Sequence, residues 1–160
     1  EITLEHGVKV KIICGQINGV KGPVKDIVID PEYLDVTMPA HASFNHPVKT
    51  GHTVFAYVIE GEGYFDKGQD PYAHEVEGLN YFDFQRDCLV SSASLVIYND
   101  GDGVLVTTKD KPLRFLLISG KPIKEPVAWY GPIVMNTQEE LKIAFEEYEN
   151  GTFIKQGRAK

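Results

Sequence analysis

A chain of 160 residues is long enough to bury a core without disulfides, and its only cysteines, Cys14 and Cys88, sit in apolar settings that favour free thiols. A formal net charge of −7 with no dense run of Lys or Arg argues against a direct grip on phosphate backbones, so a protein is a better partner than nucleic acid. No apolar run is long enough to span a bilayer and no charged-then-apolar leader is visible, which points to a soluble, cytoplasmic chain.

Val8, Val10 and Ile12 alternate with Lys9 and Lys11 before Gly15, which predicts a first strand with one buried face. Asn18-Gly19 and Lys21-Gly22-Pro23 are turn signals, and Ile27, Val28 and Ile29 then begin a short strand. Leu34, Val36 and Met38 alternate with Asp35 and Thr37 in a third, which ends at Pro39. Residues 40–51, small and imidazole-rich, read as a loop. From His52 to Glu60 both parities are apolar, with Val54, Ala56 and Val58 on one and Phe55, Tyr57 and Ile59 on the other, as in a strand covered on both faces.

Residues 66–87 are the least patterned part of the chain and read as a variable insertion and candidate partner surface. Leu95 and Ile97 lead into Asn99-Asp-Gly-Asp-Gly103, and Val104 and Val106 follow; Asp-Gly between two such runs signals a hairpin. A hairpin turn is also a better reading of that cluster than a calcium loop, which would need further acidic ligands and a closing glutamate.

Leu113, Phe115, Leu116, Leu117 and Ile118 form another nearly continuous apolar run, closed by Ser119-Gly120. Pro122, Pro126 and Pro132 then interrupt regular structure, and Trp129 and Tyr130 are placed to anchor this crossing to the core. Thr137 and Glu140 make a capping box, Leu141, Ala144, Phe145 and Tyr148 follow at helical spacing, and Asn150-Gly151 ends the helix. Many short strands and one helix favour an antiparallel double-sheet barrel.

Gly120-Lys-Pro-Ile-Lys-Glu-Pro-Val127, Gly131-Pro-Ile-Val-Met-Asn-Thr137 and Tyr148-Glu-Asn-Gly-Thr-Phe153 closely resemble the end of the pirin family. Gly15-Gln-Ile-Asn-Gly-Val-Lys-Gly-Pro23, Tyr33-Leu-Asp35 and Tyr57-Val-Ile-Glu-Gly-Glu62 resemble earlier landmarks of the same half. The resemblance implies an all-β, cupin-type jelly-roll barrel over 1–120, a proline-rich crossing over 121–136, a C-terminal α-helix over 137–150 and a tail over 151–160. It implies a bicupin parent, with this chain as the second barrel and a metal-binding N-terminal barrel outside it. Glu1 follows no initiator methionine, which fits a fragment or a separated domain.

Pirin-like N-terminal barrels carry His-x-His-x3-Glu ahead of a Tyr-Val-Leu-Glu-Gly-like segment, one strand face converging on one ion. Laid onto Tyr57-Val-Ile-Glu-Gly61, those positions become Pro47, Lys49 and Thr53, and no histidine follows His74 to serve as the fourth ligand. No metal, cofactor or catalytic residue is therefore assigned to this chain, and iron is expected in the other barrel. His41, His46 and His52 read as solvated or locally hydrogen-bonded loop histidines rather than a metal cluster. Glu60 and Glu62 read as solvated carboxylates, not an acid/base pair.

The resulting expectation is a metal-free second cupin module packed against an iron-binding N-terminal cupin. The resemblance attaches quercetin 2,3-dioxygenase-like oxidation or transcriptional co-regulation, hence a cytoplasmic or nuclear setting, to the whole protein. A competing reading is a stand-alone cupin enzyme or ligand-binding module with inward Phe55, Tyr57 or Phe115 lining its own pocket. A third is a protein-interaction domain acting through residues 66–87.

Overall fold

The computed structural model describes residues 1–65 and 88–155. They fall into two compact units, Glu1–Pro122 and the chain from Ile123 onward. The insertion read at residues 66–87 lies outside the described residues.

The first unit contains β1 (Ile2–Thr3), β2 (Lys9–Cys14), β3 (Gln16–Ile17), β4 (Val20–Lys21), β5 (Glu32–Met38), β6 (Ser43–Pro47), β7 (Thr53–Gly63), β8 (Val90–Ser91), β9 (Leu95–Ile97), β10 (Gly103–Thr107) and β11 (Leu113–Gly120). The large sheet runs β1-β2-β5-β11-β7-β8, and β9 also pairs with β7; β6 and β10 form a small sheet, as do β3 and β4. The pairings of these strands are antiparallel.

Alternation decides which side chains enter the core. Val10 and Ile12 of β2, Leu34, Val36 and Met38 of β5, Val54, Ala56 and Val58 of β7, and Leu113, Phe115 and Leu117 of β11 are all buried in one cluster. The small sheet supplies Phe44, Val104 and Val106 to the same cluster. Phe44 and Phe115 meet edge to face across the two sheets, 5.9 Å between ring centroids, and Phe65 meets Phe115 the same way at 5.3 Å. Edge-to-face geometry sets the positive ring edge against the negative face, which adds about 0.5–1.5 kcal/mol per pair beyond area burial.

Five sequence expectations change here. Residues 43–47, read as loop, form β6, because inward Phe44 and His46 alternate with outward Ser43, Asn45 and Pro47. Ile27–Ile29 is not a strand: Asp26 and Asp30 flank it in the left-handed region (φ 61° and 47°), and Val28 is almost fully exposed. The apolar runs of β7 and β11 are buried on one face, not two; Tyr57 and Ile59 are exposed, and Leu116 and Ile118 are half-buried. Phe55 and Tyr57 therefore lie opposite the core-facing parity and cannot line an interior pocket, whereas Phe115 is wholly buried. Finally, Asn99–Gly103 does not close a hairpin. It leads from β9, paired with β7, to β10, paired with β6, so it carries the chain from one sheet to the other.

The second unit contains β12 (Ala128–Tyr130), β13 (Ile133–Met135) and α1 (Gln138–Glu149), so the proline-rich crossing holds a short antiparallel hairpin. Thr137 caps α1 as read: its hydroxyl accepts from Glu140 N at 3.2 Å, while the Glu140 carboxylate accepts from Thr137 N at 3.0 Å. Ala128, Ile133, Leu141 and Ala144 form a small core of their own. Within this unit Trp129 and Tyr130 pack locally. Both are 71% exposed; the Trp129 indole donates to Gly131 O, and Tyr130 packs on Phe145 at 5.3 Å. No helix among the described residues is long and apolar enough to cross a membrane.

Candidate functional site

The three histidines weighed as a cluster are separated by the fold. His41 sits at a left-handed turn before β6 and faces Asp110 at 3.7 Å, fully in solvent's reach. His52 lies in the turn before β7, and its Nδ1 is buried without a hydrogen-bond partner. The neighbouring Lys49 ammonium pairs with Asp30, where it holds the Asp30 carboxyl below its usual range, first through the hydrogen bond and then through its charge. His46 alone is drawn inside, at 5% exposure.

What buries His46 is strand parity, and what satisfies it is Glu32. The ring stacks on Phe44 two residues earlier, 5.7 Å between centroids and 10° from parallel. Its Nε2–H donates to Glu32 Oε2 at 3.0 Å, joining β6 of the small sheet to the first residue of β5 in the large one. Gly15 makes room for that carboxylate: its φ is +95°, and a Cβ there would meet Glu32 Cγ at 2.8 Å.

This pair stands beside a groove of about 510 Å³ along β6, walled on the far side by Thr3–His6 and Ile17–Asn18. His6 and Asn18 are held at φ 54° and 49°, which turns the chain around that wall. A His–carboxylate pair orients the imidazole and fixes which nitrogen carries the hydrogen. Nucleophilic catalysis needs a third, reactive member, and the groove's Ser43 and Thr3 have no hydrogen bond to His46 among the described residues.

The three positions that the resemblance sets against metal ligands do not share one strand: Pro47 ends β6, Lys49 lies between the strands and Thr53 opens β7. Pro47 offers no side-chain donor, Lys49 is a cation already paired with Asp30, and Thr53 is a neutral, exposed hydroxyl. Among the described residues no three His, Cys, Asp or Glu side chains come together in a way that could hold a metal.

On the opposite side of the large sheet, the outward residues of β11, β7 and β9 line up. Ile118, Phe55 and Ile97 stand in one cross-strand row and Leu116, Tyr57 and Leu95 in the next. Leu95 and Ile97 are 56% and 71% exposed. Beside this apolar strip, Arg114 forks onto Asp35 with bonds of 3.0 and 2.8 Å. Sequence periodicity registered the apolar residues of β7 and β11 but read both faces of those strands as covered; the sheet order shows that the outer ones form a surface.

Comparison with known proteins agrees with this architecture. Residues 33–154 match the family model of the Pirin C-terminal cupin domain. Pirin-1 of Arabidopsis thaliana is 37% identical over 149 residues, spanning 91% of this chain and 46% of that protein. Human Pirin is 33% identical over 147 residues, spanning 91% and 45%. The chain thus spans about half the length of the curated relatives it matches. A solved quercetin 2,3-dioxygenase from Acinetobacter baumannii superposes with a TM-score of 0.74 at 22% identity, covering 95% of this chain and 46% of that one, which establishes the cupin fold. The match of the family model over most of the chain, on a fold of antiparallel strands followed by the helix α1, makes the chain a member of the pirin family, carrying its C-terminal cupin domain.

Proposed function

We propose that the chain is the metal-free second cupin module of a pirin-type protein and packs against an iron-binding N-terminal cupin. The observation that carries this reading is the apolar strip on the outer face of the large sheet, where Leu95, Ile97 and Tyr57 stay exposed in adjacent cross-strand rows. Exposed apolar side chains gathered in one patch mark an interaction surface more often than scattered ones do. The positions that the resemblance sets against metal ligands carry Pro47, Lys49 and Thr53, residue types poorly suited to iron, which supports placing the iron elsewhere. Under this proposal, quercetin 2,3-dioxygenase-like oxidation or transcriptional co-regulation belongs to the assembled protein, in a cytoplasmic or nuclear setting. The two free, buried cysteines are compatible with such a reducing compartment.

The test joins two measurements. Metal content per chain, after purification without added metal or chelator, is expected to be near zero. The N-terminal cupin half of Arabidopsis Pirin-1, expressed separately, is expected to bind the wild-type chain and to lose that binding to Leu95→Glu or Ile97→Glu. One iron per chain would refute the metal-free module. Binding unchanged by both substitutions would refute the outer sheet face as its surface.

A second reading is favoured by the groove beside His46 and Glu32: a module that binds a ligand in its own right. Its volume is within the range of about 300–1,000 Å³ common for ligand sites. Flavonol consumed by the isolated chain in air with iron supplied would support an enzymatic form of this reading.

A further inference from the structure

Among the described residues, strand β6 pairs along one of its two edges. On the β10 side, Val48 N donates to Asp102 O and Thr108 N donates to Ala42 O, both at 3.0 Å, and these bonds fix the parity of the ladder. In an antiparallel pair, residues alternate between exchanging bonds with the partner and directing them away. Phe44 and His46 therefore face β10 with their main-chain groups, while Ser43, Asn45 and Pro47 face outward. The far side of β10 confirms the parity: Thr107, opposite Ser43, exchanges both of its main-chain bonds with Tyr64, each at 2.9 Å.

Two N–H donors, of Ser43 and Asn45, and the three carbonyls of Ser43, Asn45 and Pro47 thus point away from β10. Among the described residues no main-chain bond is made to them. Free edges on open surfaces are usually blunted by lysine, proline or a bulge. Pro47 ends this edge, but Ser43 and Asn45 leave it open among the described residues, and it borders the groove along β6. Donors and acceptors repeating along one line at every second residue, about 6.6–6.8 Å apart, match another extended backbone and no compact small molecule. The titratable groups facing this groove are Glu5, His6 and His46, the last bound to the Glu32 carboxylate, and its lining holds no Lys or Arg. A cationic side chain on the incoming segment has the Glu5 carboxylate to meet.

We infer that β6 captures an extended peptide segment of a partner protein, adding it as a strand along the Ser43–Pro47 edge, with a Lys or Arg of that segment directed to Glu5. This goes beyond the module reading and uses a different surface from the outer face of the large sheet. The alternation of outward groups also makes the edge separable from the fold. Proline at 43 or 45 removes an outward donor while leaving the β6–β10 bonds in place, the circumstance in which edge strands tolerate proline.

The experiment is a selection of random decapeptides displayed on phage against the immobilised chain, followed by affinity measurement of the enriched peptides on wild type, Ser43→Pro, Asn45→Pro and Glu5→Gln. The expected result is an enriched set carrying a basic residue, binding weakened about tenfold or more by either proline and less by Glu5→Gln, with peptide-dependent protection of the Ser43 and Asn45 amides from hydrogen exchange. Should a proline variant fail to fold, methylating alternate amide nitrogens of the selected peptide replaces it and is expected to abolish binding to wild type. Four results would overturn the inference: no enriched peptide, equal binding by the folded proline variants, Ser43 and Asn45 amides already protected in the free chain at low concentration, or protection that rises with protein concentration alone, which would make a second copy the occupant.

Discussion

His46 of the small sheet and Glu32 of the large one, fourteen residues apart in the chain, are joined by a side-chain hydrogen bond of 3.0 Å. The imidazole is buried and its partner carboxylate is partly exposed, so the two ends of the bond are not equivalent. Removing Glu32 leaves a buried donor unsatisfied, whereas replacing His46 by an apolar side chain of similar size removes the need for a partner. Glu32→Ala is therefore expected to lower stability by about 1–3 kcal/mol, and His46→Leu by less. In urea titrations the double variant should match His46→Leu alone; additive losses would show that the bond does not couple the sheets.

Gly61 lies opposite Leu113 beside the register shift between β7 and β11, at φ +81°, where an added Cβ would stand 1.9 Å from the Pro112 carbonyl oxygen. Both strain and clash follow from Gly61→Ala, with an expected loss of at least about 2 kcal/mol. Gly19 has a nearly identical φ of +82° but no atom within 4 Å of the same position, so Gly19→Ala reports strain alone, about 1–2 kcal/mol. Thermal melts of the two variants separate the contributions, and equal losses would refute the close approach at Gly61.

Asp35 is held below its usual carboxyl range, chiefly by the hydrogen bond from Arg114, with burial opposing and the charges of Arg114 and Lys11 adding to the lowering. A carboxyl depressed in the folded state binds its proton more readily when unfolded. The stability it contributes is present above the unfolded value of about 3.9 and disappears as pH falls through the folded value. Wild type should lose an increment of stability below about pH 4 that Asp35→Asn lacks, the two curves converging in acid. A constant gap between them across the titration would contradict the pairing.

The capping box of α1 satisfies a main-chain donor at each of its two residues. Thr137→Ala should cost about 0.5–2 kcal/mol. Faster amide exchange at Glu140 is the local signature, and Thr137→Ser should restore most of the protection.

The alternation of Leu34, Val36 and Met38 and the capping box were legible because each depends on neighbours in sequence. β6 was not, because the inward position is a histidine whose burial is tolerated only through Glu32 on another sheet. The outer apolar strip was misread for a related reason: periodicity records that Phe55, Tyr57, Leu116 and Ile118 are apolar, but which face they occupy is set by strand neighbours. Asn99–Gly103 carries the chemistry of a tight turn, yet β9 and β10 answer to β7 and β6, and local turn preference yields to that pairing. Of the candidate site, the sequence order of Pro47, Lys49 and Thr53 suggested one strand face, but the turn between β6 and β7 divides them. The groove could not be read directly, since its walls come from separate parts of the first unit.

Strand β11 pairs with both β5 and β7, placing Leu117 opposite Leu34 on one side and Ala56 on the other. During synthesis, the ribosome releases β5 and β7 long before the strand that joins them. Until residue 120 has emerged, both present unpaired edges to the cell, and the loop closures that unite them are long. A nascent chain arrested before Leu113 should depend on chaperones and be sensitive to proteolysis. Completion of a single eight-residue strand is then expected to be the step after which the first unit resists proteolysis.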